Sequence, residues 1–165
     1  MNEPATASGC DCPFFGTSGM REMSESIHLA VHGAAGRMGR RVVALACESQ
    51  DFTLTAAVEG SMSPLLGQDA GVVAGWEPTG IDLSDHWPDS CDVVIDFSLP
   101  EAIDRCVNEC VQRRLPLVVA TTGLSDTQKA GLKKAAISIP IVWAPSMSLA
   151  VNLVMKLSQQ ASRSL

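Results

Sequence analysis

The sequence lacks three features that mark other classes of protein. It has no uninterrupted apolar run of the roughly 20 residues that cross a bilayer, and its N-terminus lacks the basic stretch and apolar run of a secretory signal. It also lacks an excess of positive charge, since 12 lysines and arginines stand against 18 acidic residues. We therefore expect a cytoplasmic protein with no membrane partner and no general affinity for nucleic acid.

Cysteine is present, but not in a pattern that builds a metal centre. The chain has six cysteines, and without export they are most simply reduced thiols. Cys10 and Cys12 form a close pair, yet no second cysteine or histidine pair stands at a zinc-finger spacing, so we predict no metal site. Cys106 and Cys110 lie four residues apart among apolar residues at helical spacing, which predicts two core residues.

Length and local composition predict one domain behind an irregular leader. A chain of 165 residues forms one domain, or one domain and a fragment. Residues 1–24 are rich in Ser, Gly, Pro, Thr and Ala with little periodicity, so we expect disorder there and an ordered domain over 25–165. Met20 and Met23 lie just before the first apolar run, and either is a candidate for the true start of translation.

Short apolar runs alternate with amphipathic segments from Ile27 onward. The runs are rich in Val and Ile, as is typical of parallel strands buried on both faces, and they cover 27–32, 53–58, 92–97, 116–121 and 140–144. A shorter strand is expected near 81–84, within the irregular residues 60–90. Repeated strand–helix units with right-handed crossovers predict the fold class, an α/β, Rossmann-like, doubly wound parallel sheet.

Four helices are predicted between and after these strands, and two of them follow capping boxes. The first covers about 37–48, and the last begins near 148. The middle two follow S-L-P-E at 98–101 and S-D-T-Q at 125–128, and they are expected to end near 113 and 137. The residues expected to face inward are Met38, Val42, Leu45 and Ala46 in the first helix and Leu149, Leu153, Val154, Leu157 and Ala161 in the last.

A glycine-rich turn joins the first strand to the first helix, in the stretch IHLAVHGAAGRMGR at 27–40. In the register of the dinucleotide fingerprint, Ala34 takes the tight-turn position, Gly36 lets the backbone approach a pyrophosphate, and Gly39 allows close helix–strand packing. Glu59 lies 59 − 39 = 20 residues beyond Gly39, where an acid would hold ribose hydroxyls. The alternative is a strand-to-helix turn that is rich in glycine without binding a ligand.

Small and polar residues gather at the carboxyl ends of the predicted strands, the edge where doubly wound sheets bind ligands. Those strand ends carry Gly33–Met38, Glu59, Phe97, Ser98, Thr121–Gly123 and Ala144–Met147. Asp96 also ends a strand, and it either contacts the substrate or, as we favour, caps a neighbouring loop.

Four blocks together resemble one family: VHGAAGRMGR, VVIDFSLPEA, VVATTGLS and APSMSLAVNLVMKL. Over about residues 27–160 the chain is similar to the N-terminal nucleotide-binding domain of the 4-hydroxy-tetrahydrodipicolinate reductase family, also called dihydrodipicolinate reductase. The resemblance implies a homotetrameric enzyme that reduces a cyclic imine-type intermediate on the diaminopimelate route to lysine, with hydride from NADH or NADPH. It implies a cofactor site made of Gly33, Ala34, Ala35, Gly36, Arg37, Met38, Glu59, Ala120, Thr121, Thr122, Ala144, Pro145, Ser146 and Met147.

Departures from the family's pattern bear on the cofactor. Members that hold the 2′-phosphate of NADPH often have an arginine after the ribose acid, whereas Glu59 is followed by Gly60. A carboxylate accepts hydrogen bonds from ribose hydroxyls and repels a phosphate, so NADH is favoured, although Arg37 could still hold a phosphate. Ser146 replaces a usual asparagine and Ala150 a usual glycine, which alters the polar groups expected near the nicotinamide.

The largest departure concerns the catalytic half. In the family a second domain carries the motif H-H-x-x-K-x-D-A-P-S-G-T-A, which supplies the proposed general acid and a lysine, and that domain builds the tetramer. This sequence contains no such motif, and His28, His32 and His86 are expected to be structural or surface residues. We therefore predict no catalytic residue in this chain, no activity of the chain alone, and substrate binding only when a second domain is supplied.

Two other functions stay open at the level of sequence. One is a non-catalytic dinucleotide-binding module or a gene remnant, because a fold does not determine a function. The other is a different oxidoreductase of the same fold, such as a semialdehyde or amino-acid dehydrogenase, in which case the D-F-S-x-P-E and T-T-G blocks would be coincidences. Thr121 and Thr122 either orient the nicotinamide carboxamide, as we favour, or form a strand-end turn.

Overall fold

A computed structural model of the protein describes residues 26–144 and 146–164. The predicted disordered leader, 1–24, lies outside the described residues, and so does Pro145 of the expected cofactor site. Across the two described ranges, no helix combines the length and the apolar character that crossing a bilayer requires.

Strands and helices alternate along the described chain. The strands are β1 (Ile27–His32), β2 (Phe52–Val58), β3 (Leu83–Ser84), β4 (Val93–Asp96), β5 (Leu117–Val119) and β6 (Ile141–Trp143). The helices are α1 (Arg37–Glu48), α2 (Ala70–Val73), α3 (Ile103–Arg113), α4 (Asp126–Ala135) and α5 (Leu149–Ser164). A 3₁₀ turn over Pro100–Ala102 leads into α3.

The strands form one parallel sheet in the order β3-β2-β1-β4-β5-β6. From β1 the chain moves outward through β2 and β3, and then returns to the other side of β1 to build β4, β5 and β6. The predicted doubly wound α/β fold is confirmed. The direction of winding reverses between β1 and β4, whose last residues, His32 and Asp96, are register partners. Such a reversal opens a crevice at the carboxyl ends of the strands.

Apolar side chains form two clusters, one with residues of α1 and the other with residues of α3 and α4. The second cluster includes Cys106 and Cys110, both fully buried, which confirms the predicted core role of these cysteines. A hydrogen bond with Cys110 and burial raise the pKa of the Cys106 thiol, so this thiol stays protonated and unreactive.

Helix α1 has the predicted bounds but a different rotation about its axis. Its buried residues are Gly39, Val43, Ala44 and Ala46, whereas Met38 and Leu45, both predicted to face inward, are 54% and 46% exposed. Glycine explains the difference, because a Cβ on Gly39 would lie 2.0 Å from the carbonyl oxygen of Gly33. Because Gly39 has no side chain, helix α1 approaches the turn at this residue. The contact sets the rotation of the helix about its axis.

One of the two predicted capping boxes is wrong. Ser98 does not cap α3, because its hydroxyl donates to the carboxylate of Asp96 over 2.6 Å, and the chain enters the helix through the 3₁₀ turn instead. The other box is confirmed. Ser125 Oγ accepts from the backbone N–H of Gln128 over 3.2 Å, and Gln128 Oε1 accepts from the backbone N–H of Ser125 over 3.0 Å.

The irregular stretch between β2 and β4 contains the expected short strand, β3, and a four-residue helix, α2, that the sequence did not reveal. Asp69 organises this stretch, because its carboxylate accepts from the N–H groups of Val72, Thr79 and Gly80 at 3.0, 2.9 and 2.7 Å. A helix of four residues is too short to leave a periodic pattern, so composition predicts only a loop there.

Helix α5 has no inner face among the described residues. Its predicted inward residues Leu149, Leu153, Val154 and Leu157 are all exposed, and no residue of the helix is buried. The neighbouring edge strand is also open, with Val142 58% exposed. The prediction that these side chains line an inner face is therefore wrong for this chain, whereas the amphipathic helix itself is present.

Candidate functional site

Two adjoining cavities follow the carboxyl edge of the sheet at the point where its winding reverses. The larger, of about 740 Å³, lies between the start of α1 and the ends of β5 and β6, and the smaller, of about 370 Å³, extends toward the end of β2. They share one wall, made of Gly36, Phe97, Ser98 and Leu99. We refer to the two adjoining cavities together as the groove, and two compartments on either side of one wall suit an extended two-part ligand.

The glycine turn lies at the centre of this groove. Gly33 has φ +76°, and a Cβ there would lie 2.8 Å from the backbone carbonyl of Phe97, so only glycine fits comfortably. Gly33 therefore makes the tight turn. The fingerprint register had assigned that role to the next residue, Ala34. Ala34 is buried, and Ala35 is half-buried with its carbonyl accepting from Arg40 Nε over 2.7 Å.

Gly36 is the N-cap of α1, and no side chain caps the helix. Within residues 26–144 and 146–164, no side chain accepts a hydrogen bond from the N–H groups of the first turn, and Arg37 and Met38 of that turn line the larger cavity. A Cβ on Gly36 would lie only 3.2 Å from the carbonyl oxygen of Gly33. A bare helix N-terminus beside a groove, with glycine at the closest approach, favours an anionic ligand.

Glu59 lies directly after β2 and lines the smaller cavity, together with Gly60, Met62 and Ser63. Its backbone N–H donates to the carbonyl of Ser84 over 2.8 Å, which ties the end of β2 to the end of β3. The side chain is half-buried at the far end of the groove from β6. The structure thus brings the predicted ribose acid to the same groove as the glycine turn.

The other expected site residues fall on the larger cavity with few exceptions. Ala120, Thr121, Thr122, Ser146 and Met147 line it opposite α1. Ala144 is half-buried just after β6 and is not part of the lining, and Pro145 lies outside the described residues. Ser146 ends this side of the groove, with its hydroxyl accepting from the N–H of Ser148 over 3.2 Å.

A buried carboxylate lies directly beneath the groove. Asp96, 0% exposed, accepts from His32 Nδ1 over 2.7 Å, from Ser98 Oγ over 2.6 Å and from Thr121 Oγ1 over 2.5 Å. Burial raises the pKa of this carboxyl, but the hydrogen bonds from His32, Ser98 and Thr121 outweigh it and lower the pKa below its ordinary value. The bonds to Ser98 confirm the interpretation of Asp96 as a loop cap.

The three histidines occupy structural or surface positions, as predicted. His32 is buried between Asp96 and Trp87, whose ring centroid lies 5.2 Å from that of the imidazole. His28 is exposed with Nδ1 3.5 Å from an oxygen of Asp92. His86 is exposed as well, and its imidazole is 2.7 Å from Asp85.

One group of side chains in the described part of the chain has the spacing of metal ligands. His32, Asp96 and Cys106 place one ligand atom each within 4.8 Å of one another. A cation there would have to displace the hydrogen bonds that His32, Ser98 and Thr121 donate to Asp96, and it would need a thiolate whose formation burial opposes. We therefore assign this group to hydrogen bonding.

Sequence reasoning missed part of the lining. The sequence places Phe97 and Ser98 at this edge, but not Leu99 of the same shared wall, nor Met62 and Ser63 beside Glu59. A signal was available for Leu99, because it follows soon after β4, the strand next to β1 at the reversal of winding. Met62 and Ser63 lie in an irregular loop, where no periodicity predicts which residues face a ligand.

The family model and the curated relatives agree on one family. The family model described as "Dihydrodipicolinate reductase, N-terminus" matches residues 27–147. A 4-hydroxy-tetrahydrodipicolinate reductase of Rhodopirellula baltica is 58% identical over 88% of this chain and 54% of its own length. That of Pseudoalteromonas atlantica is 41% identical over 82% of this chain and 52% of its own length. The chain thus spans about half the length of the curated relatives it matches.

Solved structures match the fold at low sequence identity. A dihydrodipicolinate reductase from Paenisporosarcina sp. TG-14, bound to dipicolinate, has a TM-score of 0.59 at 19% identity, covering 84% of this chain and 54% of that chain. An apo scyllo-inositol dehydrogenase from Lactobacillus casei has a TM-score of 0.57 at 13% identity, covering 86% of this chain and 43% of that one. These likenesses support the Rossmann-like fold and nothing more specific.

Proposed function

The chain belongs to the dihydrodipicolinate reductase family, and from that premise we propose that it is the nucleotide-binding part of a 4-hydroxy-tetrahydrodipicolinate reductase. In this proposal residues 25–165 bind a nicotinamide dinucleotide for the reduction of a cyclic imine-type intermediate on the diaminopimelate route to lysine. The reduced cofactor supplies the hydride when bound. The residues of this chain bind it, orient it and shield one side of it from water.

The observation that carries the proposal is the bare N-terminus of α1 at the middle of a two-part groove. A dinucleotide has a diphosphate between two nucleosides, and here the anion-binding element lies between two cavities. Gly36 fits a diphosphate, since the absence of its side chain leaves the backbone free for close approach. The diphosphate would lie on the segment Gly33–Met38, where Ala34 and Ala35 complete the turn.

The two ends of the groove suit different nucleosides. Glu59 in the smaller cavity would accept hydrogen bonds from the hydroxyls of the adenosine ribose. The loops Ala120–Thr122 and Ala144–Met147 at the larger cavity would hold the nicotinamide riboside, with Thr122, Ser146 and Met147 on the lining. The larger volume on that side leaves room for a substrate next to the nicotinamide.

We propose that NADH is preferred over NADPH. No lysine or arginine is among the described residues that line the smaller cavity, and Glu59 would repel a 2′-phosphate. Arg37 lines the larger cavity, on the other side of the shared wall. Within the smaller cavity a phosphate on the adenosine ribose would therefore meet no cation among the described lining residues, which is the physical basis of the preference.

Imine reduction also needs a proton donor and groups that bind the substrate, and the groove of this chain has few side chains for either role. Of the described residues that line the groove, the carboxylate and imidazole side chains are those of Glu59, at the adenosine end, and His32, already hydrogen-bonded to Asp96. We therefore propose that substrate binding, protonation and the homotetramer implied by the resemblance depend on residues beyond this sequence, and that the 165-residue chain binds cofactor without turnover.

Calorimetric titration of the purified chain with NADH, NADPH and ADP, with circular dichroism on the same sample, tests the proposal. We expect binding of all three, with NADH tighter than NADPH. Glu59→Gln should weaken the binding of NADH, whereas Glu48→Gln, at the far end of α1, should not change it. A folded sample that binds none of the three would contradict the cofactor proposal and favour a non-binding remnant. Oxidation of NADH by the chain with the imine substrate would contradict its dependence on further residues.

A further inference from the structure

Two loops that line the larger cavity are both hydrogen-bonded to one buried carboxylate. Asp96 Oδ1 accepts from Ser98 Oγ over 2.6 Å, and Oδ2 accepts from Thr121 Oγ1 over 2.5 Å. Asp96 is itself 0% exposed, so it does not reach the cavity surface. The relative position of the loops Phe97–Leu99 and Ala120–Thr122 is thus set from beneath, by a group that a ligand cannot touch.

The two threonines of the second loop have different surroundings. Thr121 is buried, and its hydroxyl lies 2.5 Å from Asp96 Oδ2 and 3.1 Å from the carbonyl oxygen of Ser98. A hydroxyl has one proton, so a Thr121 that donates within the protein has none to donate to a ligand. Thr122 is exposed on the lining of the same cavity. Of the pair, Thr122 is the side chain available for ligand contact.

We propose that Asp96 is a positioning residue for the nicotinamide half of the cofactor site and acts through Thr121, whereas Thr122 makes the contact. The inference rests on the function proposed above. The Asp96–Thr121 hydrogen bond holds the Ala120–Thr122 loop at a constant separation from the Phe97–Leu99 loop, so the cavity is formed before the ligand enters. Bonds to an ionised acceptor are stronger than neutral ones, which suits this role.

The two cavities allow positioning to be distinguished from a general structural role. The loop Ala120–Thr122 lines the larger cavity and is not among the residues that line the smaller one beside Glu59. A change in this loop should therefore weaken the binding of a ligand that has a nicotinamide riboside. It should not affect the binding of a ligand that has only adenosine and a diphosphate. A loss of global stability would instead weaken both ligands alike.

The experiment compares NADH with ADP on four forms of the 165-residue chain: wild type, Thr121→Val, Thr121→Ser and Thr122→Val. For Thr121→Val we expect the Kd for NADH to rise about tenfold, with the Kd for ADP within about twofold of wild type. Thr121→Ser keeps the hydroxyl and should restore NADH binding to within about twofold. Thr122→Val should weaken NADH while leaving the melting temperature unchanged.

Asp96→Asn and the double variant Asp96→Asn/Thr121→Val complete the test, because residues that act through one contact have non-additive effects. If the double variant binds NADH no more weakly than Thr121→Val alone, the inference is supported, and additive losses of affinity overturn it.

Equal losses of affinity for NADH and ADP, or unchanged NADH binding by a folded Thr121→Val, also overturn the inference while leaving the proposed function intact. If Thr121→Val does not fold, Thr121→Ala replaces it in the same comparison, because Asp96 also bonds to His32 and Ser98, which line the smaller cavity. Wild type that binds neither ligand refutes both proposals.

Discussion

The carbonyl oxygen of Gly33 occupies the space in which Gly39 would carry a side chain, since a Cβ built on Gly39 would lie 2.0 Å from that oxygen. This contact seats the first turn of α1 against the end of β1. It holds the helix N-terminus at the groove, and it determines which side of the helix faces the sheet.

Replacing Gly39 by alanine should therefore destabilise the protein. We expect Gly39→Ala to lower the free energy of unfolding by more than about 3 kcal/mol, because backbone rather than a flexible side chain must move to admit the methyl group. Gly131→Ala is the matched control, as Gly131 lies within α4 and its Cβ would meet nothing within 4 Å. That variant should gain about 0.5–1 kcal/mol. Denaturant unfolding measures both, and equal stability of the two variants would contradict the assignment.

Acid should weaken the loop that Asp69 organises. Backbone hydrogen bonds from Val72, Gly80 and Thr79 lower the pKa of Asp69 below its ordinary value, against a smaller opposing effect of desolvation. Because the folded pKa is lowered, the stabilisation is present above the unfolded pKa, about 3.9, and is lost as pH falls through the folded pKa.

Asp69→Asn should consequently lose less stability than wild type between about pH 5 and pH 2. Asp126→Asn is the control. Its hydrogen bond to Lys129 also lowers the pKa of Asp126, but the carboxylate is exposed and screened by water, so its removal should leave the pH dependence nearly unchanged. Denaturant midpoints across that pH range give the measurement. Parallel curves for wild type and Asp69→Asn would show that the carboxylate does not stabilise the loop.

Cofactor preference should respond to a cation placed next to Glu59. Gly60 has open space where a Cβ would stand, and its backbone does not require glycine, so Gly60→Arg should fold. We expect the ratio of NADPH to NADH affinity to rise about tenfold, because a guanidinium can hold the 2′-phosphate through two hydrogen bonds.

Gly60→Gln separates charge from length in that test, since it extends the side chain without a positive charge. It should leave the ratio near that of wild type. Titration of both variants with NADH and NADPH provides the comparison. A shift of the same size in Gly60→Gln would show that the preference does not depend on charge beside Glu59.

The isolated chain should self-associate through α5. Leu149, Leu153, Val154 and Leu157 lie exposed on this helix, beside the open edge strand β6. Apolar surface of this kind favours association, and a 16-residue helix without a packing partner is marginally stable in water. We expect concentration-dependent association in sedimentation experiments and binding of a hydrophobic dye.

The double substitution Leu153→Gln/Leu157→Gln should reduce both signals. Ile137→Gln, which removes an exposed apolar side chain just after α4, is the control and should change them little. A wild-type chain that sediments as a monomer and binds no dye would show that α5 is covered by some other part of the molecule in solution.

The elements could be predicted from the sequence where one local pattern dominated. The run IHLAV next to three glycines predicts strand, turn and helix, and the observed bounds of β1 and α1 agree with the prediction. The helix face of Ile103, Cys106 and Cys110 was equally clear, since its period of 3.6 residues has no competing signal. Failures came where a side chain had a choice of partners, as with Ser98, which bonds to Asp96 instead of capping α3.

The sequence by itself determined the family, the doubly wound fold, and the meeting of the glycine turn with Glu59, because alternating strands and helices bring the carboxyl ends of parallel strands to one edge and the motif spacing puts these residues there. Only the tertiary structure decided that Gly33 makes the tight turn, that α1 turns Met38 outward, and that Thr121 faces Asp96 while Thr122 faces the groove. Each of these depends on contacts between chain segments, such as the 25 residues that separate Asp96 from Thr121. Neither periodicity nor composition carries information about such contacts, because both describe a residue only in relation to its sequence neighbours.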